Sequence, residues 1–117
     1  MSVEEYWSRS DDELYALLGA ELLGVGPGLS PADDEDKRRF GQRWFANKHR
    51  ELQSKICHHE RAQAFIGTTG SDRLLDACAI QELLQQSIGD PTTSALIAVL
   101  VARVGLGTFC RDAPARP

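Results

Sequence analysis

The sequence predicts an all-α fold: a single compact bundle of four to five helices around a central, apolar C-terminal helix at about residues 92–105. Three observations lead to this prediction. Leucine and alanine outnumber the β-branched and aromatic residues that strands prefer. Capping residues, prolines and glycines mark helix starts and stops along the chain. Between these marks, apolar residues recur at helical spacing.

The chain of 117 residues has the usual length of one domain, which can bury a core without disulfides or a metal. Apolar residues make up 42% and charged residues 26%, as is typical of globular proteins. We therefore expect one helical domain over residues 1–117. Its ends, at about 1–8 and 111–117, are expected to be frayed.

The first predicted helix covers residues 11–23. Ser10 and Glu13 have the spacing of a capping box, in which the serine hydroxyl accepts from a first-turn N–H and the glutamate reaches back to the cap's own N–H. Leucines follow at helical spacing, and Gly24 offers the left-handed conformation that ends many helices. The glycines and proline of residues 24–28 indicate a loop.

The second predicted helix covers about residues 31–57 and begins with Ser30 as its cap and Pro31 in the first helical position. Acidic residues at 33–36 suit the positive end of the helix dipole. In projection, five apolar side chains share one side, which we expect to face the core: Phe40, Trp44, Phe45, Leu52 and Ile56. Residues 57–66 either extend this helix or form a short separate one.

Two further helices are predicted in the C-terminal half. A serine and an aspartate at 71–72 open one that ends at Ile88, and its apolar circumference indicates neighbours on several sides. Asp90 and Pro91 open the next, SALIAVLVARVG, which is apolar nearly all round apart from Arg103 and is expected at the centre. Its β-branched residues leave a strand as the alternative, but the sequence offers no credible partner strand.

Charge is separated along the chain, although the net charge is only −4. Residues 1–36 carry a net charge of −9, residues 37–61 carry +6 and residues 62–117 carry −1. A basic element therefore stands beside an acidic one that could neutralise it within the fold.

Cysteine usage and hydropathy indicate a cytoplasmic protein. Cys57, Cys78 and Cys110 are an odd number without tight spacing, and the N-terminus lacks the pattern of a signal peptide. We therefore expect reduced thiols. The longest apolar run, Ala95–Ala102, has eight residues against the roughly 20 that cross a bilayer as a helix. No membrane partner is expected.

No residue pattern indicates catalysis, a metal site or a cofactor. The cluster HHE at 58–60 lacks the further ligands that zinc deaminases and zinc proteases need. Cys57 and His58 are adjacent, and adjacent helical residues do not face each other as a nucleophile and its base must. The glycine-bearing loops at 24–28 and 67–70 lack the spacing of phosphate-binding loops. We therefore predict a protein that is not an enzyme.

One surface has a plausible binding role: a basic ridge on the second predicted helix. It consists of Arg39, Arg43 and Arg50, and is extended by Lys37, Arg38, Lys48 and Lys55; of the extension, Lys37 is also expected to contact the partner. Arginines one turn apart bind acidic protein surfaces or a nucleic-acid backbone. The alternative is a solvated face that is partly paired with the acidic N-terminal segment.

A second candidate contact lies before the first helix, where Tyr6 and Trp7 stand in a polar stretch. They form an interface signature if they are exposed, and part of the core if they fold back. We therefore expect an intracellular adaptor or scaffold-like module that binds another protein or a second copy of itself. The alternative function is a nucleic-acid-associated regulator that uses the same basic ridge.

Overall fold

A computed structural model describes residues 3–23, 31–58 and 73–111 of the chain. Over these residues the fold is all-helical, as predicted, and no strand occurs in them. The radius of gyration is 13.9 Å, close to the roughly 13 Å of a compact chain of this length. The helices are α1 (Val3–Trp7), α2 (Asp11–Leu23), α3 (Pro31–Asn47), α4 (His49–Ile56), α5 (Arg73–Ile88), α6 (Pro91–Val104) and α7 (Leu106–Phe109).

Helix α6 is the central element that the sequence predicted. All its residues from Thr93 to Ala102 are buried, and it contacts α1, α2, α5 and α7. Its start follows from the predicted cap, because an Asp90 carboxylate oxygen accepts a hydrogen bond from the N–H of Thr92 at 3.2 Å. Gly105 ends it with a φ of 94°, a conformation that favours glycine. The strand alternative for this segment is therefore wrong.

Helices α2 and α3 cross at very short range. Gly19 of α2 lies against the backbone of Lys37, and Gly41 of α3 lies against the backbone of Tyr15, so the two helices run antiparallel. Both glycines are buried. Because neither has a Cβ, the two backbones approach more closely than side chains would permit.

The predicted capping box at the start of α2 is present in part. The N–H of Glu13 donates to Ser10 Oγ at 3.2 Å, as expected for the cap. The Glu13 carboxylate accepts from the Ser10 hydroxyl at 3.5 Å and pairs with Arg9 at 3.2 Å. The glutamate therefore supports the cap through its side chain.

Residues 3–7 form α1 within the segment where fraying is expected, and residues 112–117 lie outside the described part. Two expectations about the second predicted helix need correction. The predicted helix over 31–57 is two helices, separated at Lys48. Phe40, expected in the core, is 41% exposed. The loops predicted at 24–28 and 67–70, and the start at 71–72, also lie outside the described residues.

The cysteines differ most from expectation. Cys57 and Cys110 form a disulfide across 53 positions, whereas we expected reduced thiols. Cys78 on α5 is half-buried and takes no part in this disulfide. The argument for a cytoplasmic location therefore loses its basis in cysteine usage, because lasting disulfides are typical of oxidising compartments. Within the described ranges, none of the helices is both long and apolar enough to span a membrane.

Candidate protein-interaction surface

The outward side of α3 carries an exposed aromatic residue beside two arginines. Helix α3 buries Lys37, Gly41 and Phe45, which are spaced four residues apart, and so directs the opposite side to solvent. Arg39, Phe40 and Arg43 are exposed there, and the half-buried Trp44 lies one turn beyond Phe40. We call these four residues the α3 outer face. It combines the residue types that dominate protein-binding hot spots.

Lys37 does not belong to this surface. It is only 9% exposed, and a Cβ on Gly19 would lie 2.0 Å from its carbonyl oxygen. The close crossing of α2 and α3 therefore encloses Lys37, which corrects its assignment to the basic ridge.

A local ion-pair network neutralises part of the ridge. Arg38 donates to both carboxylate oxygens of Glu35, at 2.6 and 3.0 Å, and Arg39 donates to the same carboxylate at 3.2 Å. The hydrogen bond from Arg38 is the main reason why the pKa of Glu35 falls to about 2. Arg38 also lies 3.9 Å from Asp12 of α2, so the predicted pairing with the acidic N-terminal segment occurs at this position.

An open cleft of about 470 Å³ lies beside this network, between the first half of α2 and α3. Its lining residues are Arg9, Asp12, Glu13, Ala16, Leu17, Glu35 and Arg38. The arginines and carboxylates in this set pair with one another, as in the pair of Arg9 and Glu13. The cleft therefore presents no converging charge of one sign to a ligand.

Arg50 is separated from the α3 outer face by the break at Lys48. Lys48 has φ −90° and ψ 4°, which lie outside the helical region, and α4 begins at His49. Arg50 is exposed on α4, and Lys48 pairs with Glu51 at 3.2 Å. The basic ridge is thus two shorter basic segments on successive helices.

Tyr6 and Trp7 belong to the packing of α1 on the bundle. Tyr6 is 2% exposed, and its pKa is raised by burial and by the nearby Glu21 and Glu5. Trp7 is half-buried beneath Arg103, whose guanidinium lies 5.7 Å from the ring centre. Arg103 also donates to the carbonyl of Trp7. This correction removes Tyr6 from the accessible surface and gives Trp7 a structural contact.

Sequence reasoning missed the junction of α4 and α7. Phe109 is buried against the ring of His49, with ring centres 4.7 Å apart, and its carbonyl accepts from Gln53 Nε2 at 2.8 Å. The disulfide between Cys57 and Cys110 lies next to it. The apolar pair at 109–110 was the sequence signal for a buried segment, but no nearby residue indicates that it packs against α4.

Compared with known proteins, the chain matches no protein-family model, no curated protein and no solved structure. Functional arguments therefore rest on its own residues.

The candidate chemistry at residues 57–60 changes with the disulfide. Cys57 is bonded to Cys110 and 1% exposed, which removes it as a free nucleophile in this state. His58 is half-buried at the end of α4, while residues 59 and 60 lie outside the described part. Among the described residues, no three His, Cys, Asp or Glu side chains come together as metal ligands.

Proposed function

We propose that this protein is a non-enzymatic interaction module whose α3 outer face binds an acidic, partly apolar surface of another protein. The observation that carries the proposal is the exposure of Phe40, at 41%, between Arg39 and Arg43. Single exposed apolar residues are common on protein surfaces. An aromatic side chain flanked by arginines is more informative, because aromatics and arginine are enriched at interfaces.

Trp44 supports the same assignment. It lies one turn from Phe40 on α3 and is half-buried against the core, so its position is held by packing. A partner that covers Phe40 would also reach the exposed part of the Trp44 side chain. Aromatic anchors that are already ordered lose little conformational entropy on binding.

A protein partner is favoured over nucleic acid by the exposed ring of Phe40, because the ion pairs of the ridge limit what charge alone contributes to binding. Glu35 occupies donors of both Arg38 and Arg39, and Arg38 also donates to Gln42 at 2.9 Å. A phosphate would have to compete with these acceptors for the same guanidinium groups. The apolar area of Phe40 adds to binding of a protein surface without such competition.

Capture of the tagged protein from its native lysate, with and without nuclease, tests the proposal. We expect a stoichiometric protein that survives nuclease and is lost with Arg39→Glu/Arg43→Glu and with Phe40→Ala. The matched control is Arg9→Glu/Arg111→Glu, which changes the net charge equally at exposed positions outside α3.

Three results would argue against it. Capture that the Arg39→Glu/Arg43→Glu variant leaves unchanged would make the α3 outer face a solvated surface. Equal loss in the control variant would show a general charge effect. Nucleic acid that disappears with nuclease and binds less as salt rises would support the alternative regulator function.

The location of the protein is part of the same test. We keep the cytoplasm as the proposed location for a partner-binding adaptor. Fractionation of the native cell with thiol trapping at lysis should find the protein in the cytoplasm, and recovery from an oxidising compartment would contradict this.

A further inference from the structure

The single-turn helix α7 is fastened to α4 at two adjacent residues. Phe109 is 1% exposed, packs against His49 and accepts a hydrogen bond from Gln53 at 2.8 Å. The next residue, Cys110, is bonded to Cys57 just beyond the end of α4. One apolar contact and one covalent bond therefore hold the same short segment.

Gly105 separates this segment from α6. It has a φ of 94°, and its N–H donates to the carbonyl of Val101 at 3.0 Å, which completes the last turn of α6. Beyond it, the N–H of Phe109 donates to the carbonyl of Gly105 at 2.8 Å and closes a single turn. One isolated turn is unstable in water. The position of α7 therefore depends on its contacts with α4 and with the end of α6.

We propose that the Cys57–Cys110 disulfide is a thiol-exchange site, and that its reduction by a monothiol or dithiol releases α7 from α4. Release withdraws Phe109 and uncovers the pocket formed by Phe45, His49 and Gln53. The centre of the Phe45 ring lies 6.3 Å from that of Phe109, so it forms a wall of this pocket. The proposal is independent of the α3 outer face.

Unequal exposure of the two cysteines sets the direction of attack. Cys57 is 1% exposed, whereas Cys110 is partly exposed. A thiolate attacks Cys110 Sγ, a new S–S bond forms there, and the bond to Cys57 breaks; Cys57 leaves as a thiolate and takes a proton. A second thiolate then attacks the outer sulfur of the mixed disulfide. Cys110 becomes a thiol, and the two reductant thiols are oxidised to a disulfide.

The remaining contacts hold α7 weakly once the disulfide is reduced. Among the described residues, the contacts between α7 and α4 include the burial of the Phe109 ring and the hydrogen bond from Gln53 to the carbonyl of Phe109. Against them stands the conformational entropy of residues 105–111, which the disulfide otherwise restricts. Because the conformational entropy of seven ordered residues exceeds what one buried ring and one hydrogen bond contribute, we expect local opening at Gly105 while the rest of the bundle stays folded.

Hydrogen exchange of the oxidised and reduced full chain tests the release. A Cys78→Ser background leaves Cys57 and Cys110 as the remaining cysteines. On reduction, we expect the amides of Phe109 and Arg111, which donate to the carbonyls of Gly105 and Thr108, to lose protection by about tenfold or more, while α2 and α6 keep theirs. A Cys57→Ser/Cys110→Ser variant should show the same loss without reductant.

Two results of this experiment would overturn the proposal. Equal protection of the Phe109 and Arg111 amides in both redox states would mean that noncovalent contacts suffice to hold α7. Loss of protection throughout α2 and α6 would mean that the disulfide stabilises the whole fold and does not hold α7 alone. Far-UV circular dichroism of the reduced protein distinguishes local from global opening.

The site of attack is tested separately with glutathione as the thiol. Oxidised protein is exposed briefly, quenched in acid and mapped for the mixed disulfide, which we expect on Cys110. A mixed disulfide on Cys57 contradicts the proposed direction. A reaction no faster than global unfolding would contradict a surface-accessible exchange site.

Discussion

Gly19 faces the carbonyl oxygen of Lys37 so closely that a Cβ on residue 19 would lie 2.0 Å from it. The same crossing places a Cβ on Gly41 2.1 Å from the carbonyl oxygen of Tyr15. Both contacts are with backbone, which cannot move aside as a flexible side chain can. The packing of α2 on α3 therefore depends on two residues without side chains.

Alanine at either glycine should destabilise the protein. In an unobstructed helix, Gly→Ala stabilises by about 0.5–1 kcal/mol, so the sign of the effect is diagnostic. We expect Gly19→Ala and Gly41→Ala each to lower the free energy of unfolding by about 1–3 kcal/mol, because the helices must separate. Urea denaturation measures this change. Ala46→Gly on the exposed side of α3 shows the effect of propensity alone, and a gain for Gly19→Ala would refute the close crossing.

Arg103 should anchor α1 to the bundle. Its guanidinium donates to Asp11 at 2.8 Å and to the carbonyl of Trp7. Arg103→Ala removes charge-assisted hydrogen bonds worth about 1.5–3 kcal/mol, before screening by solvent reduces the effect. Loosening of α1 should expose Trp7 and shift its fluorescence to the red in a Trp44→Phe background. Arg111→Ala is the control, and an unchanged Trp7 spectrum in Arg103→Ala would contradict the anchor.

Acid should remove the stabilisation that comes from Glu35. Its folded-state pKa is lowered from 4.5 to about 2, chiefly by the hydrogen bond from Arg38. Because the pKa is lower in the folded state, the ionised Glu35 carboxylate stabilises the fold above pH 4.5, and this contribution is lost as the pH falls towards 2. The difference in urea midpoint between wild type and Glu35→Gln should therefore shrink over that range. Carboxyl NMR titration of Arg38→Gln should return the pKa of Glu35 towards its usual range, and a pH-independent difference would count against the network.

Alkali should weaken the attachment of α1 through Tyr6. Burial, together with Glu21 and Glu5, raises the pKa of Tyr6 above 10.0. The neutral phenol is thus favoured in the folded state, so its contribution is complete below pH 10 and is lost as the pH rises through the raised pKa. Tyr6→Phe should make the decline in thermal midpoint above pH 10 less steep. Tyr15, whose pKa is also raised by burial, accounts for part of the remaining decline, and identical slopes would exclude the role of Tyr6.

The start of α6 shows what local sequence can specify. Asp90, Pro91 and the apolar run after them predicted a capped, central helix, and the structure confirms the cap and the burial. The bounds of α2 were predicted equally well, because Ser10 and the leucine spacing act over single helical turns. Such signals depend on residues within four positions of one another, and a sequence displays them directly.

The faces of α3 were predicted less well, because helix projection gives weight to large apolar side chains. The projection predicted Phe40 in the core and Lys37 at the surface. In the structure, α3 is rotated about its axis so that Lys37 and Gly41 contact α2. Glycine contributes nothing to an apolar projection, although it permits the closest approach. The orientation of the α3 outer face therefore depended on a contact between two helices.

By itself, the sequence determined the all-helical class, the bounds of α2, the start of α6 and its central place, since capping and periodicity are local. Tertiary structure decided which side of α3 meets solvent, that Arg103 holds α1, and that Cys57 pairs with Cys110 across 53 positions. Each of these depends on where separate helices meet in space, and that geometry follows from packing of the whole chain.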